Sequence, residues 1–248
     1  MPPFGSRKAT RLALEGRAGA PYLVPIALTL AALAAGWWLK DAAPRLAGAA
    51  APPEAQVARA LANLTSARLE DVYGHASGGL AELQALRFRD VTVRMDGARA
   101  HVVAVADGTG RVAWRGREAS LAYLGREEVT MRPCRFAGWC AEGEALAELR
   151  PILRLLFRRL DAVAGRDAEG YGRLLADDFR GAGGRAAALE RIRRALAEGG
   201  PITATGWQIR VERGEALVGE DELAGGAPAR IRLTLVRQGE RWVIADGP

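Results

Sequence analysis

The spacing of apolar residues divides the chain into one long uncharged run and two stretches that each read helix first and strands after. Residues 18–39, AGAPYLVPIALTLAALAAGWWL, hold no charged side chain. That run is long enough for a helix to cross a hydrocarbon core of about 30 Å. In the next stretch Val57, Leu61 and Leu64 recur at helical spacing. LAELQAL (80–86) adds a predicted short turn of helix. LRFRDVTVRM, RAHVVAVA, RVAWR, REASLAYL and REEVTMR then alternate as strands do. Breaks at Asp96-Gly97, at DGTG (107–110), at Gly116 and at Gly125 predict a meander of short antiparallel strands.

In the last stretch, Leu149, Ile152, Leu153, Leu156, Leu160 and Val163 mark one face of a helix, with Arg154, Arg158 and Arg159 on the other. AEGYGRLLADDF (168–179) predicts a second, shorter helix. RAAALERIRRALAEGG predicts a third, with Leu189, Ile192 and Leu196 inward, stopped by Gly199-Gly200-Pro201. Four strands follow in ITATGWQIRVER, EALVGED, ARIRLTLVR and ERWVIAD. Ile231, Leu233 and Leu235 alternate with polar residues, as in a sheet with one buried face.

Three segments carry a family resemblance: DAEGYGRLLADDFRG (167–181), the helix RAAALERIRRAL and the final hairpin RIRLTLVRQGERWVIAD. Together, over about residues 146–246, they resemble the nuclear transport factor 2-like superfamily, with its ketosteroid-isomerase-like and polyketide-cyclase-like (SnoaL-like) members. The resemblance implies a curved sheet closed into a cone by three helices, and a role in protein contact or small-ligand capture. Where such relatives catalyse, it implies an acid, a histidine or a tyrosine inside the cone. The preceding stretch is either a degenerate relative or an unrelated helix-plus-meander. The expected fold is α+β: an N-terminal transmembrane helix, then two helix-then-antiparallel-sheet units, the second cone-like with three helices. The expected boundaries are a basic leader at 1–17, an anchor at 18–40, an Ala/Pro-rich spacer at 41–55, a first unit at 56–142 and the superfamily-like domain at 143–248.

Charge changes the picture mainly at the N-terminus. All but Lys8 and Lys40 of the 35 basic residues are arginine. Five bases (Arg7, Lys8, Arg11, Arg17, Lys40) face one acid, Glu15, in the first forty residues. Set against the total of +6, this leaves +2 for the rest of the chain. That balance gives no footprint for nucleic acid. The basic leader predicts a cytosolic N-terminus, and Trp37 and Trp38 suit the far headgroup layer. The expected location is the bacterial inner membrane, single-pass, with everything after Asp41 in the periplasm. A cleaved signal peptide is the alternative, since RLAGAAAPPE offers small residues at a suitable distance. The expected contacts are the bilayer, and either a protein partner or a second copy of the chain.

Candidate chemistry is sparse. Cys134 and Cys140 stand in PCRFAGWC; in an oxidising compartment they predict a local disulfide, with two buried free thiols as the alternative. Five intervening residues do not match the redox spacing, and His75 and His101 form no metal-ligand pattern with them. The last stretch contains no histidine. Asp177 and Asp178 are adjacent, so on a helix they would diverge by about 100°. No catalytic, cofactor-binding or metal-ligating residue is assigned. Tyr171, Trp207 and Trp242 are the candidate lining of the cone, and core packing explains an aromatic at such spacing equally well. The expected function is a non-catalytic interaction or small-ligand-binding module, with an isomerase- or cyclase-type enzyme as the alternative.

Overall fold

Alternation of buried and exposed positions runs unbroken through places where the sequence predicts turns. The computed structural model describes residues 51–70, 72, 79–134 and 138–247. Helix α1 (Pro53–Ala62) is followed by strands β1 (Ala67–Leu69), β2 (Leu80–Asp96), β3 (Arg99–Trp114), β4 (Arg117–Cys134) and β5 (Gly138–Glu142). In β4 every second residue from Ala119 to Met131 is buried, Gly125 among them. DGTG and Gly125 therefore lie inside strands, LAELQAL opens β2 instead of forming a helical turn, and the five short runs are three long strands. At Gly110 a Cβ atom would lie 1.8 Å from the carbonyl oxygen of Glu82 on β2. Glycine is needed there for close approach of two backbones, not for a turn.

The remaining elements are α2 (Leu149–Ala164), α3 (Ala168–Gly172), α4 (Gly184–Glu198), β6 (Ile202–Glu212), β7 (Glu215–Ala224), β8 (Ala227–Gln238) and β9 (Arg241–Asp246). Helix α3 is shorter than AEGYGRLLADDF predicts. The Asp167 carboxylate caps its start by accepting from Gly170 N–H at 2.7 Å. After α3 the chain turns onto the sheet, where Leu175 bridges Ile244 of β9. Asp177 and Asp178 are consequently exposed beyond the helix, ahead of buried Phe179.

The strands form one sheet in the order β1-β2-β3-β4-β6-β7-β8-β9, with β5 also paired to β4. All neighbours are antiparallel except β4 and β6, which run parallel from Ser120 opposite Gly206 to Gly125 opposite Val211. Parallel neighbours need a long crossover, and β5 with the helices α2 to α4 supplies it. This corrects the predicted pair of helix-then-sheet units. The described residues build one mixed nine-stranded sheet with four helices, because β4 offers its free edge to β6 and both halves bury apolar side chains in one core. Leu83, Leu86, Trp114 and Leu121 from the first half share that core with Phe157, Trp207 and Ile244 from the second. A smaller cluster joins Val57 and Leu61 of α1 to Ala100, Val102, Val129 and Met131 farther along the same face of β3 and β4. The predicted transmembrane helix is likewise not found: no helix among the described residues is long and apolar enough to cross a membrane. The span at 18–39 itself lies outside the described residues.

Candidate functional site

Three places gather groups able to do chemistry or bind. The first is the helix-covered face of the sheet. Leu149, Ile152, Leu153, Leu156 and Leu160 press α2 onto the strands, as its periodicity predicts. Arg159 departs from the prediction, because it is 4 % exposed on the inward face. Its position follows Ile152 and Leu156 at heptad spacing, which puts it in the same stripe. The guanidinium donates to Glu220 at 2.8 Å and to the Tyr171 hydroxyl at 3.1 Å, and lies 3.8 Å from Glu222. Glu220 and Glu222 are two residues apart on β7 and share its inner face, at 0 % and 6 % exposure. Burial works against the Arg159 charge, but Tyr171 and Glu220 outweigh it and raise its pKa. Burial also pushes the Glu222 carboxyl up; Arg159 opposes this and the neighbouring Glu220 adds to it. One oxygen of each glutamate, Oε2, has no hydrogen-bond partner among the described residues.

Aromatic rings fill the space beside this cluster. Trp207 is 1 % exposed on β6. Its ring meets Phe157 edge-on at 5.8 Å and Trp114 at 6.3 Å, while Trp114 stacks on Phe157 at 5.3 Å. Tyr171 and Trp207 thus both belong to the helix-covered interior. The Arg159 guanidinium lies 5.8 Å from the Tyr171 ring, within cation–π range.

Trp242 of β9 belongs to a second place. Its indole N–H donates to Glu148 at 3.0 Å, and Arg237 donates to the same carboxylate at 2.6 Å. Glu148 immediately precedes α2 and bounds a depression of about 310 Å³ with Glu127, Arg126 and Arg213. Glu127 is 2 % exposed and accepts a hydrogen bond from the Tyr123 hydroxyl. Burial pushes its carboxyl up from an ordinary 4.5 to about 7; the Tyr123 hydrogen bond opposes the rise, the Glu148 charge adds to it, and the Ala147 N–H opposes it. A carboxyl poised near neutrality in a concave site is a functional-site candidate on physical grounds. The sequence reading missed both Glu127 and Arg159.

The third place is the sheet face away from the helices. There the register aligns Thr109, Ala122, Gln208, Gly219 and Arg232 across five strands. Ala122 and Gly219 leave a trough, walled by the next row of Leu124, Arg210 and Leu217. Its volume is about 910 Å³, and Leu217 is 52 % exposed along it.

The two cysteines sit apart from all three places. Cys134 and Cys140 are joined at 2.02 Å S–S and 5.8 Å Cα–Cα, across the β4–β5 pairing. His101 is exposed on β3, 3.8 Å from Asp96. Among the described residues no group of three or more His, Cys, Asp or Glu side chains could hold a metal ion.

No family model matches the chain, and no curated protein matches it. Solved structures do match in part. A nuclear transport factor 2-like protein of unknown function from Pseudomonas putida is 22 % identical, covering 42 % of this chain and 87 % of its own, at a TM-score of 0.36. A Nostoc punctiforme protein of unknown function with a cystatin-like fold is 16 % identical, covering 43 % and 91 %, at 0.35. A Bdellovibrio bacteriovorus structure covers 65 % of this chain and 92 % of its own, at 8 % identity and 0.37. Other matched structures carry the words ketosteroid isomerase and polyketide cyclase in their names.

Proposed function

We propose that the chain is a non-catalytic binding module of nuclear transport factor 2-like build. We place it at the bacterial inner membrane, with residues 53–248 on the periplasmic side, where it engages a protein partner or a small ligand. The observation that carries the reading is the packed interior of the helix-covered face. Arg159 ties Glu220 and Tyr171 together, and Trp114, Phe157 and Trp207 fill the space a substrate would need. The open face, by contrast, offers a large trough with an exposed leucine. The location rests on the uncharged run at 18–39, its basic leader and the tryptophan pair.

A photoreactive residue placed at Arg232, in the trough, is expected to give adducts of defined mass in cells, while one placed at Tyr171 gives none. An adduct of twice the chain mass identifies a second copy; another mass identifies a different partner. Asp177→Asn and Asp178→Asn should leave those adducts unchanged. The location predicts sedimentation with membranes that survives alkaline carbonate, and a freely soluble mature chain starting near Ala50 overturns it.

One observation favours the enzyme alternative: Glu220 and Glu222, each with an oxygen lacking a hydrogen-bond partner among the described residues, gather around Arg159, which also holds Tyr171. Turnover of a cyclic ketone that Glu222→Gln abolishes at unchanged melting temperature would establish an isomerase or cyclase and sink the binding module.

A further inference from the structure

Strand β4 changes partners along one edge. Residues 120–125 pair with β6 and residues 130–134 pair with β5, so residues 126–129 have no partner strand on that side among the described residues. The depression of about 310 Å³ opens at this gap. The segment leading from β5 to α2 passes over it, and Ala147 N–H on that segment donates to the Glu127 carboxyl. The volume lies at the small end of ligand sites.

We propose that this gap binds a small monocarboxylate with an apolar body, and that Glu127 couples the binding to a proton. Arg126 and Arg213 supply the anion contacts. Both are exposed at the depression, and neither forms an ion pair among the described residues. Arg213 is fixed by the two-residue turn Arg213-Gly214, whose φ angles of 49° and 79° are those of a tight hairpin turn. Planar guanidinium forks match a carboxylate by paired hydrogen bonds. Arg237 is committed to Glu148. Val211 and Trp242 form an apolar wall, which suits a hydrocarbon body and gives nothing to inorganic phosphate. A dianion would also meet more repulsion from Glu127, Glu128 and Glu148 than a monoanion does.

The proton coupling follows from what faces Glu127. Tyr123 on its own strand donates to it. Glu148 faces it from the start of α2, and Arg126, Glu128, Arg213 and Arg237 line the same depression from β4, the β6–β7 turn and β8. When Glu127 is ionised, three arginines meet three glutamates. When it is protonated, the site carries a net positive charge that favours an anion. With the carboxyl pushed up to about 7, that change falls within the physiological range. By linkage, an anion that prefers the protonated form must draw a proton onto Glu127 as it binds. The inference gives the binding-module reading a site and a ligand class, and it does not depend on the trough.

The test is calorimetric titration of the full-length chain in nonionic detergent with benzoate, against blank micelles. Benzoate is expected to saturate one site at pH 6 and to bind roughly tenfold more weakly at pH 8, the effect of about one unit charge a few ångströms away. Arg126→Gln and Arg213→Gln, both at exposed positions, should each abolish binding at pH 6. Glu127→Gln should bind at both pH values with the pH 6 affinity. Should that variant fail to fold, heats in buffers of different ionisation enthalpy decide for the wild type, with net proton uptake expected at pH 7. Absence of binding overturns the proposal, as does equal binding of benzylamine, tighter binding of inorganic phosphate, full affinity in Arg213→Gln, or no proton uptake. Failure here while trough adducts persist removes the site and leaves the module standing.

Discussion

The helix-covered interior and the gap beside β4 each bury a carboxyl and a tyrosine hydroxyl, but in the first a buried arginine bonds both and in the second the two bond each other. In the interior a buried cation, Arg159, sits 2.8 Å from Glu220 and 3.1 Å from Tyr171. In the gap no cation is bonded to Glu127 among the described residues, and the Arg237 guanidinium goes to Glu148 instead. Burial is almost complete in both. The difference is where the positive charge lies. A cation buried against an acid makes both part of the framework, whereas burial without a bonded cation favours the neutral carboxyl, as at Glu127. The first arrangement serves packing, and the second can respond to a ligand.

Breaking the interior pair should produce the largest effect. Arg159→Met leaves Glu220 buried and uncompensated, which costs about 3–5 kcal/mol of folding stability. Replacing all three members, as Arg159→Met with Glu220→Leu and Glu222→Leu, should recover most of that loss, since well-packed apolar groups often substitute for a buried ionic cluster. Denaturant unfolding of the two variants checks both statements. A triple variant no more stable than Arg159→Met would show that the cluster does more than fill the core.

Legibility differed between the same two regions. The core tryptophan Trp207, the tyrosine at 171 and the cysteine pair were readable, because each is a large or chemically distinctive residue in a strongly patterned segment. Arg159 was not. One arginine among several on α2 carries no mark of burial, and only its place three residues after Leu156 betrays it. Glu127 was hidden for a different reason. Its parity with Ala119, Leu121 and Tyr123 is regular along β4, but cutting the strand at Gly125 discarded the register that reveals it. The same habit, treating glycine as punctuation, split β3 at DGTG and separated the two halves of one sheet. The parallel joint of β4 and β6 had no local signal, since a side chain absent at Gly206 matters only against Ser120, 86 positions earlier; a Cβ there would lie 2.4 Å from the serine hydroxyl.

The gap predicts a smaller, pH-dependent effect. Glu127 has its folded pKa raised, so it binds its proton more tightly in the folded state. The resulting stability is fully present below about pH 4.5 and is lost as pH rises through about 7. The shift corresponds to roughly 3 kcal/mol across that window. The stability of Glu127→Gln minus that of the wild type should therefore grow from pH 5 to pH 8. Glu222, also raised, adds a slope of the same sign that persists in Glu127→Gln and disappears in Glu222→Gln. A difference curve flat with pH would mean that Glu127 stays ionised, and the contrast between the two regions would fail.

The smallest effect should come from Trp242→Phe, which keeps an aromatic ring and removes the N–H donated to Glu148. Losing one hydrogen bond to a charged acceptor that is still held by Arg237 costs about 1 kcal/mol. Because burial is the leading cause of the Glu127 shift and the Glu148 charge a lesser one, the Glu127 midpoint should move by less than about half a pH unit. Carbon-13 shifts of the Glu127 carboxyl across pH 5–9 would measure it. A midpoint that falls toward 4.5 would show that Trp242, by orienting Glu148, sets the charge state of the gap. In that case the region would depend on one positioned neighbour, as the Arg159 cluster does, and burial alone would not explain its titration.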